Sequence, residues 1–298
     1  MNNDHTKEPT KTGRNPARPT VAFVGAGAMA EALLRGMTKA DIVSPETVAM
    51  LNRSGGNRLT ELKNKYGVRI PEANRPEEKE MLIRDADVVV LAVKPKDAGE
   101  VLKQLKDVLR PDQLIVSVVA GLTIATMERL IGRAQPIVRT MPNTSSTIGY
   151  GATGLACSPA VSPAQRDWAV QMLGAVGIVA VLDENLLDLV TGVSGSGPAY
   201  VYYLMEAMIA AGTEGGLSEE TAKWLVLQTV LGAARMVELT GENPADLRAK
   251  VTSPNGTTFA ALNTLDAYRF REGIVQAVRN AAARAGEMGD EIAAGALP

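Results

Sequence analysis

The sequence predicts an α/β fold in which a doubly wound, parallel sheet occupies residues 20–182 and an all-helical domain follows over residues 183–298. In the first part, short runs of Val, Ile and Leu alternate with helix-like stretches, which is the order of βαβ units. Beyond Asp183 the strand-like runs stop, and Ala, Leu, Met and Glu recur at helical spacing. A chain of 298 residues agrees with two domains of about 100–200 residues each.

Each predicted strand is a short run rich in Val, Ile and Leu, the pattern of strands that are buried on both faces of a parallel sheet. The predicted strands are residues 21–24, 47–51, 88–93, 114–119, 137–139 and 178–182. The helices predicted between them are residues 30–39, 56–66, 76–83, 98–109, 124–130 and 162–174. In the helical domain we predict helices over residues 199–211, 219–240 and 259–287.

Composition excludes several classes of protein. With 46% apolar and 21% charged residues and a mean hydropathy of +0.01, the chain is expected to be globular. A net charge of −2 provides no basic field for nucleic acid or anionic lipid. The longest apolar strand-like run, residues 88–93, is far shorter than the ~20 residues of a membrane span. Because Cys157 is the only cysteine, no intramolecular disulfide can form, and we expect a reducing, cytoplasmic location.

The single histidine, His5, lies in the N-terminal tail, residues 1–19. This tail is polar and lacks the apolar segment of a signal peptide, so we expect a disordered extension. Catalytic triads, Cys-His pairs and histidine zinc sites all need an imidazole inside the fold. The sequence therefore predicts no such chemistry and no metal site.

A dinucleotide-binding fingerprint follows the first predicted strand and opens a helix. It reads Gly25, Ala26, Gly27, Ala28, Met29 and Ala30. The first glycine permits the tight turn, the second lets a pyrophosphate approach the backbone, and the final alanine lets the helix pack closely on the sheet. This context predicts a Rossmann-type sheet; the alternative is a glycine turn in an α/β protein without a ligand.

The second predicted strand ends in Asn52, Arg53 and Ser54, where NAD-preferring sites usually carry a carboxylate. An arginine between two hydrogen-bonding side chains suits a 2′-phosphate, so we predict NADPH as the cofactor, with NADH as a second option. The alternative is a solvated surface arginine, which is how we interpret Arg58.

Two further turns follow predicted strands and should line the same cleft, because ligands bind at the carboxyl ends of parallel strands. The candidate contacts are Ala92, Val93, Lys94 and Pro95 in one turn and Val119 and Ala120 in the other. Lys94 is the only cation in them, and it is either a polar contact near the nicotinamide or an exposed strand-end lysine. The turn over residues 139–144 is polar in the same way but is weak evidence alone.

Two turns in the helical domain, residues 194–198 and 252–258, each precede a helix. In the first, Ser196 could cap the helix and Pro198 suits its first turn. Such turns can offer free backbone N–H groups to a small carboxylate, or they can simply be capped helix starts. Residues 200–209 and 221–236 are apolar on more than one face. They indicate either an obligate dimer or the interior of the helical bundle.

Taken with their spacing, these motifs resemble the pyrroline-5-carboxylate reductase family. The matching stretches are residues 25–30, 92–95, 117–121, 139–144, 194–200, 228–234 and 253–258. The resemblance implies a Rossmann domain followed by a helical dimerisation domain, as homodimers that in some members assemble into larger rings. It also implies that the nucleotide contacts residues 25–30, Asn74 and the turns at 92–95 and 119–120. The implied carboxylate site is Val251, Ser253, Gly256, Thr257 and Thr258, with Thr258 near the ring nitrogen.

Two residues depart from the family pattern. Asn255 stands where the family loop usually has glycine, and Ser145 replaces the usual second proline after the Asn-Thr pair. Asparagine tolerates left-handed backbone better than most residues, so we expect the loop to keep its shape.

The implied reaction is reduction of 1-pyrroline-5-carboxylate to L-proline, the last step of proline biosynthesis, by hydride from NAD(P)H. A cyclic imine can be reduced as an iminium that is already protonated, which agrees with the absence of histidine from the fold. One rival is a related reductase for another imine or a β-hydroxy acid, which would need a catalytic lysine such as Lys223 or Lys250. Another is a nucleotide-binding regulator without turnover.

Overall fold

The computed structural model describes residues 18–53, 55–72 and 75–296. Nearly all of the tail that is expected to be disordered, together with Ser54 and Asn74, lies outside this part. The described strands are β1 (Val21–Val24), β2 (Val48–Leu51), β3 (Val88–Leu91), β4 (Leu114–Ser117), β5 (Ile137–Met141), β6 (Gly151–Cys157) and β7 (Gly177–Val181).

Six helices of the described chain accompany the sheet, and the remainder follow it. The first group is α1 (Ala28–Lys39), α2 (Asn57–Tyr66), α3 (Pro76–Asp85), α4 (Pro95–Leu105), α5 (Ile124–Ile131) and α6 (Pro163–Gly174). The second is α7 (Leu187–Val190), α8 (Gly197–Glu214), α9 (Glu219–Thr240), α10 (Pro244–Lys250), α11 (Thr257–Ala267) and α12 (Phe270–Ala296). Short 3₁₀ turns occupy Pro45–Thr47, Thr144–Ile148 and Glu184–Leu186.

The strands form one sheet in the order β2-β1-β3-β4-β5-β6-β7. β1 pairs in parallel with both β2 and β3, so the chain leaves β1 in one direction and returns to its other side. This reversal of strand order is the switch point at which open α/β sheets bind ligands. The predicted doubly wound architecture is confirmed.

Alternate side chains of each central strand enter cores on opposite faces of the sheet, because successive residues of a strand point in opposite directions. On β1, Ala22 and Val24 face the core made with α3, α4 and α5. Val21 and Phe23 face the core made with α1, α2 and α6. Phe23 is 0% exposed, and burial of such a side chain contributes about 1.5–3 kcal/mol to the stability of the sheet.

The sheet differs from the sequence-based expectation at one strand. β6 was not predicted, and it runs antiparallel to β5 before pairing in parallel with β7. Its sequence, GATGLAC, contains two glycines and two alanines, residues with little preference for strands. The pairing partners on both sides, rather than local propensity, therefore place this segment in the sheet.

Beyond β7 the described chain is helical, as predicted, with one break that the sequence pattern does not indicate. The stretch predicted as a single helix over residues 259–287 is divided between α11 and α12 by Tyr268 and Arg269. Arg269 has a φ of 54°, and its N–H donates to the Asp266 carbonyl, which ends α11. A left-handed residue stops an α-helix, so α11 and α12 are two separate helices.

Large apolar side chains of α8, α9 and α11 remain exposed in the single chain. Trp224 is 66% exposed, Leu227 56% and Tyr203 76%, and neither α8 nor α11 has a buried residue. Exposed apolar surface of this extent marks an interaction site. Of the two alternatives left open by the sequence, the single chain does not bear out the bundle interior.

Candidate functional site

Backbone hydrogen bonds place three strand-end turns side by side at the carboxyl edge of the sheet. The N–H of Gly25 donates to the Leu51 carbonyl at 2.8 Å, and that of Ala92 to the Val24 carbonyl at 2.8 Å. The N–H of Val118 donates to the Leu91 carbonyl at 3.0 Å. The fingerprint turn and the turns after β3 and β4 therefore line one cleft, in the order of their strands.

The fingerprint turn leaves room for a ligand above its second glycine. Gly25 has a φ of 113°, and a Cβ there would lie 2.2 Å from the Ala92 carbonyl oxygen, so only glycine fits. A Cβ on Gly27 would meet no atom within 4 Å, whereas Ala30 is fully buried against the sheet. The N–H groups of the first turn of α1 lack intrahelical partners and face this open space. These features suit the pyrophosphate of a dinucleotide.

The loop after β2 is closed by its own asparagine. The side chain of Asn52 accepts a hydrogen bond from the Gly55 N–H at 2.6 Å and donates one to the Gly55 carbonyl at 3.1 Å. The side chain of Arg53 is 92% exposed and lies 3.9 Å from Asp97 at the start of α4. An exposed guanidinium with one long ionic contact can turn toward an incoming phosphate.

Arg58 is not the solvated surface residue that the sequence suggested. Its Nε donates to the carbonyl of Ala26 in the fingerprint turn at 3.1 Å, and its Nη2 lies 2.5 Å from the Glu31 carboxylate. Glu31 also accepts from Lys65 at 2.9 Å and from the Tyr66 hydroxyl at 2.8 Å. The correction has a tertiary cause, because α2 packs beside the first turn of α1.

The cluster of Glu31, Arg58, Lys65 and Tyr66 strongly shifts the pKa of its carboxylate. The hydrogen bond from Arg58, followed by that from Lys65, lowers the pKa of Glu31 to about 2. Glu31 therefore stays ionised while two cations neutralise it next to the fingerprint turn. The only sequence signal for the cluster was the position of Glu31 directly after the fingerprint, in the first turn of its helix.

The remaining candidate contacts of the cleft differ in exposure. Lys94 is exposed and is the N-cap residue of α4, at the end of the turn after β3. Val119 is 2% exposed, and its N–H is 3.3 Å from the Ser117 hydroxyl. Ala120 is half-buried. The turn after β4 thus presents backbone and a small side chain to the cleft on a well-packed base.

The loop before α11 has the shape expected of an anion-binding helix start. Gly256 adopts extended backbone as the N-cap and offers no capping side chain, and a Cβ there would lie 2.4 Å from the Ser253 hydroxyl. Asn255 has a φ of 57°, so it occupies the left-handed position at which the family has glycine. The first-turn N–H groups, which include those of Thr257 and Thr258, have no intrahelical acceptor.

Within the chain, this loop stands apart from the cleft. Its hydrogen bonds join residues 248–260 to one another: Thr252 donates to Ala249, and Gly256 donates to Ser253. Val251 is 66% exposed. Among the described residues, no hydrogen bond links the loop to the strand-end turns, so hydrogen bonds within one chain do not bring the two parts of the predicted site together.

The turn over residues 194–198 differs from the open, capped start that the sequence suggested. Thr191–Gly195 form a π-helical turn, and the Ser196 N–H donates to the Thr191 carbonyl. Ser196 has helical backbone and makes no capping hydrogen bond through its side chain, although Pro198 does occupy the first turn of α8. The segment lines an apolar groove of about 570 Å³ instead of forming a second anion site.

The lysines required by the hydroxy-acid alternative are engaged on the surface. Lys223 pairs with Glu219 at 2.5 Å one helical turn away, and Lys250 pairs with Glu242. Both lysine side chains are about 60% exposed. Neither lies in a cleft, so the structure gives no support to a catalytic lysine in the helical half.

The fold and the cleft define the class of Rossmann-type dinucleotide-binding proteins. In agreement, residues 20–121 match the family model described as NADP oxidoreductase coenzyme F420-dependent, and residues 184–288 match that of pyrroline-5-carboxylate reductase dimerisation. The chain is 44% identical over 278 residues to pyrroline-5-carboxylate reductase 1 of Bacillus subtilis, covering 93% of this chain and 92% of the relative. The chain belongs to the pyrroline-5-carboxylate reductase family, a family of oxidoreductases.

Further relatives extend this agreement to structure. The Pseudomonas aeruginosa pyrroline-5-carboxylate reductase is 42% identical over 92% of this chain and 98% of its own length. The structure of the Coxiella burnetii enzyme matches with a TM-score of 0.81 at 38% identity, over 91% of this chain and 98% of that one. The Plasmodium falciparum enzyme, solved with NADP bound, also gives 0.81, at 32% identity over 92% and 99%.

Two broader features of the chain agree with these matches. The match to the dimerisation model covers the helices whose apolar faces are exposed, so the chain is expected to act as a homo-oligomer. None of the helices in the described part of the chain is long and apolar enough to cross a membrane.

Proposed function

We propose that this chain catalyses the reduction of 1-pyrroline-5-carboxylate to L-proline with NADPH, the last step of proline biosynthesis. The observation that carries the proposal is that this member of the family has two segments suited to binding anions. One is the open dinucleotide turn at Gly27, and the other is the anion-binding start of α11. The first suits a pyrophosphate and the second a small carboxylate.

The cofactor contacts follow from the strand-end cleft. The pyrophosphate would be held by the fingerprint residues Gly25, Ala26, Gly27, Ala28, Met29 and Ala30. The adenosine 2′-phosphate would be held by Asn52, Arg53 and Ser54. The rest of the dinucleotide would be held by Asn74, Ala92, Val93, Lys94, Pro95, Val119 and Ala120. The exposed guanidinium of Arg53 supports NADPH over NADH. When bound, NADPH supplies the hydride.

The chain's own part in the reaction is to bind and orient the imine. Val251, Ser253, Gly256 and Thr257 would hold the substrate carboxylate at the helix start, and the Thr258 hydroxyl would hydrogen-bond the ring nitrogen. As the C=N carbon gains hydride, the π electron pair moves to a nitrogen that already carries its proton in the iminium. No side chain then has to donate a proton in this step, so orientation supplies most of the rate enhancement.

A homodimer would complete the site. Within the described ranges, the hydrogen bonds of the loop over residues 252–258 stay inside residues 248–260, while α8, α9 and α11 expose apolar faces. Pairing these faces would let the loop of one protomer meet the strand-end turns of its partner. Rings of dimers are a larger assembly that we also propose, and sedimentation velocity would distinguish them from a single dimer.

We also propose that the boundary between the two domains lies at residues 182–183, where the last strand gives way to helices. Residues 20–182 would form the dinucleotide-binding domain and residues 183–298 the domain for dimerisation and substrate. A cytoplasmic location is proposed because Cys157 is the only cysteine of the sequence, as expected of a protein that works in a reducing compartment.

The deciding experiment follows the absorbance of NADPH at saturating 1-pyrroline-5-carboxylate and quantifies the proline formed. We expect one proline per NADPH oxidised and a higher kcat/KM with NADPH than with NADH. Oxidation of NADPH in the presence of a β-keto acid, but not in the presence of the imine, would support the alternative that the chain is a hydroxy-acid reductase. Tight binding of NADPH without turnover of either would support the regulator.

A further inference from the structure

The turn after β4, which the proposed function places at the cofactor, is held from the helical half at two separate points. The turn spans residues 118–123 and contains Val119 and Ala120, and α5 starts at Ile124. Contacts to this turn from residues beyond 183 have no role in forming the sheet itself. They therefore call for a separate explanation.

The first of these contacts is a hydrogen bond from a backbone N–H at the end of the turn to a side-chain carboxylate. Glu184, in the 3₁₀ turn after β7, accepts the N–H of Ile124 at 2.7 Å. Ile124 is the first residue of α5, where N–H groups lack helical acceptors and a negative charge is favoured. The hydrogen bond therefore fixes the end of the turn to a residue outside the sheet.

A buried arginine positions that carboxylate. Arg139 lies on β5, next to β4, and its side chain is only 5% exposed. Its guanidinium lies 3.2 Å from Glu184 and 2.6 Å from Asp188 on α7. Because a buried guanidinium needs partners in fixed directions, the pair of carboxylates and the arginine hold one another in place.

The second point is a close approach of two backbones. Gly121 has a φ of 76°, and a Cβ there would lie 2.7 Å from the Ala285 carbonyl oxygen and 2.9 Å from the Gly289 nitrogen, both on α12. Conversely, a Cβ on Gly289 would lie 2.3 Å from the Gly121 carbonyl oxygen. Both glycines are buried, so neither backbone can move away without disturbing its neighbours.

We propose that Glu184, Arg139 and Gly289 are positioning residues that set the nicotinamide end of the cofactor from the helical half of the chain. The inference rests on the proposed function and deepens it. The fingerprint and the loop after β2 hold the adenosine and pyrophosphate part, so cofactor affinity depends little on the turn after β4. Hydride transfer, in contrast, is sensitive to displacements of about 1 Å, which can cost about 100-fold in rate.

The test separates positioning from affinity with Gly289→Ala, Glu184→Ala and Glu184→Gln. We expect Gly289→Ala and Glu184→Ala to lower kcat by at least about tenfold while the Kd of NADPH changes by less than about threefold. The deuterium isotope effect on kcat, with NADPH labelled at the transferred hydrogen, should rise because hydride transfer becomes slower than the other steps. Glu184→Gln keeps an acceptor for the Ile124 N–H and should restore part of kcat.

A matched control is Gly36→Ala, at the contact between α1 and the end of α6. A Cβ there would lie 2.5 Å from Val176 and 2.9 Å from the Ala175 carbonyl oxygen, which is similar crowding far from the turn. It should lower the Tm without changing the isotope effect. If the folded Glu184 and Gly289 variants keep the wild-type kcat and isotope effect, or change them no more than Gly36→Ala does, the proposal is wrong.

The proposed function is tested separately, by measuring the activity of the wild-type chain. If the wild type does not reduce the imine, the proposed function fails, and positioning is judged by hydrogen exchange of residues 118–124 in the NADPH complex. Faster exchange in Glu184→Ala than in the wild type and in Gly36→Ala would support positioning without turnover. Equal exchange in all three would overturn it.

Discussion

At the scale of single residues, Arg53 is the side chain on which cofactor preference is expected to depend. It is almost fully exposed beside the loop that Asn52 closes. We expect Arg53→Ala to raise the KM for NADPH about tenfold, the effect of losing about 1.4 kcal/mol of binding, and to leave that for NADH almost unchanged.

Steady-state kinetics with both cofactors check this prediction. The loss for NADPH should shrink at high salt, because an exposed ionic contact is screened. Equal losses for both cofactors would mean that Arg53 acts on the loop rather than on the phosphate.

Thr258 is the residue whose hydroxyl is proposed to orient the substrate. We expect Thr258→Val and Thr258→Ala to lower kcat/KM for the imine by about 10–100-fold, since a lost hydrogen bond and misorientation both raise the barrier. Thr258→Ser keeps the hydroxyl and should retain most of the rate. Unchanged kcat/KM in the valine and alanine variants would refute the role.

Glu31 links the fingerprint to pH-dependent stability. Its pKa is about 2 in the folded chain, against an ordinary value of 4.5. A carboxylate whose folded pKa is depressed contributes stability above its ordinary pKa, and that contribution is lost as the pH falls from about 4.5 towards 2. We expect Glu31→Gln to lower the Tm by a few degrees at pH 7 and by much less at pH 3.

Thermal unfolding from pH 7 to pH 3 measures this difference, with Glu61→Gln as a control. Glu61 is 64% exposed and lies 3.5 Å from Arg58, so its removal should have little effect at either pH. A Glu31→Gln variant whose Tm falls in parallel with the wild type throughout this range would contradict the prediction.

At the scale of elements, the start of α11 depends on one left-handed residue. Asn255 has a φ of 57°, a conformation that costs a β-branched residue about 1–2 kcal/mol. We expect Asn255→Gly to preserve or lower the KM for the imine and Asn255→Val to raise it about tenfold, with the KM for NADPH unchanged in both. A valine variant with the wild-type KM would show that the loop's shape does not set substrate affinity.

The helices whose bounds the sequence predicted best have residues at their ends that favour the start and the stop of a helix. α9 has the predicted bounds, because Ser218 caps its start and Gly241, with a φ of 67°, ends it. β6 shows the opposite case, since its glycines and alanines carry no strand signal and pairing with β5 and β7 places it in the sheet. Local propensity is decisive where it is strong, and tertiary pairing decides elsewhere.

At the scale of the whole molecule, the exposed apolar face of α9 is expected to lie in the interface between protomers. We expect Leu227→Glu to dissociate the oligomer at micromolar concentration and to abolish reduction of the imine while NADPH still binds. A buried unpaired carboxylate is costly enough to disrupt such an interface. Sedimentation velocity over a concentration series measures the association.

Met81→Glu is the matched control, because Met81 is a 54% exposed apolar residue on α3 of the sheet half. It should leave both sedimentation and activity unchanged. A Leu227→Glu variant that sediments and reacts like the wild type would exclude this face from the interface.

The sequence by itself determined the alternation of strands and helices as far as β5, the dinucleotide turn and the loop at Asn255, because each depends on neighbouring residues whose backbone preferences are local. Only the tertiary structure decided that Arg58 reaches Glu31, that Arg139 joins Glu184 and Asp188, and that Gly121 meets Gly289. The residues that form these ion pairs are 27 to 49 positions apart along the chain. Their meeting follows from the angles at which helices pack on a twisted sheet, and no local pattern encodes those angles.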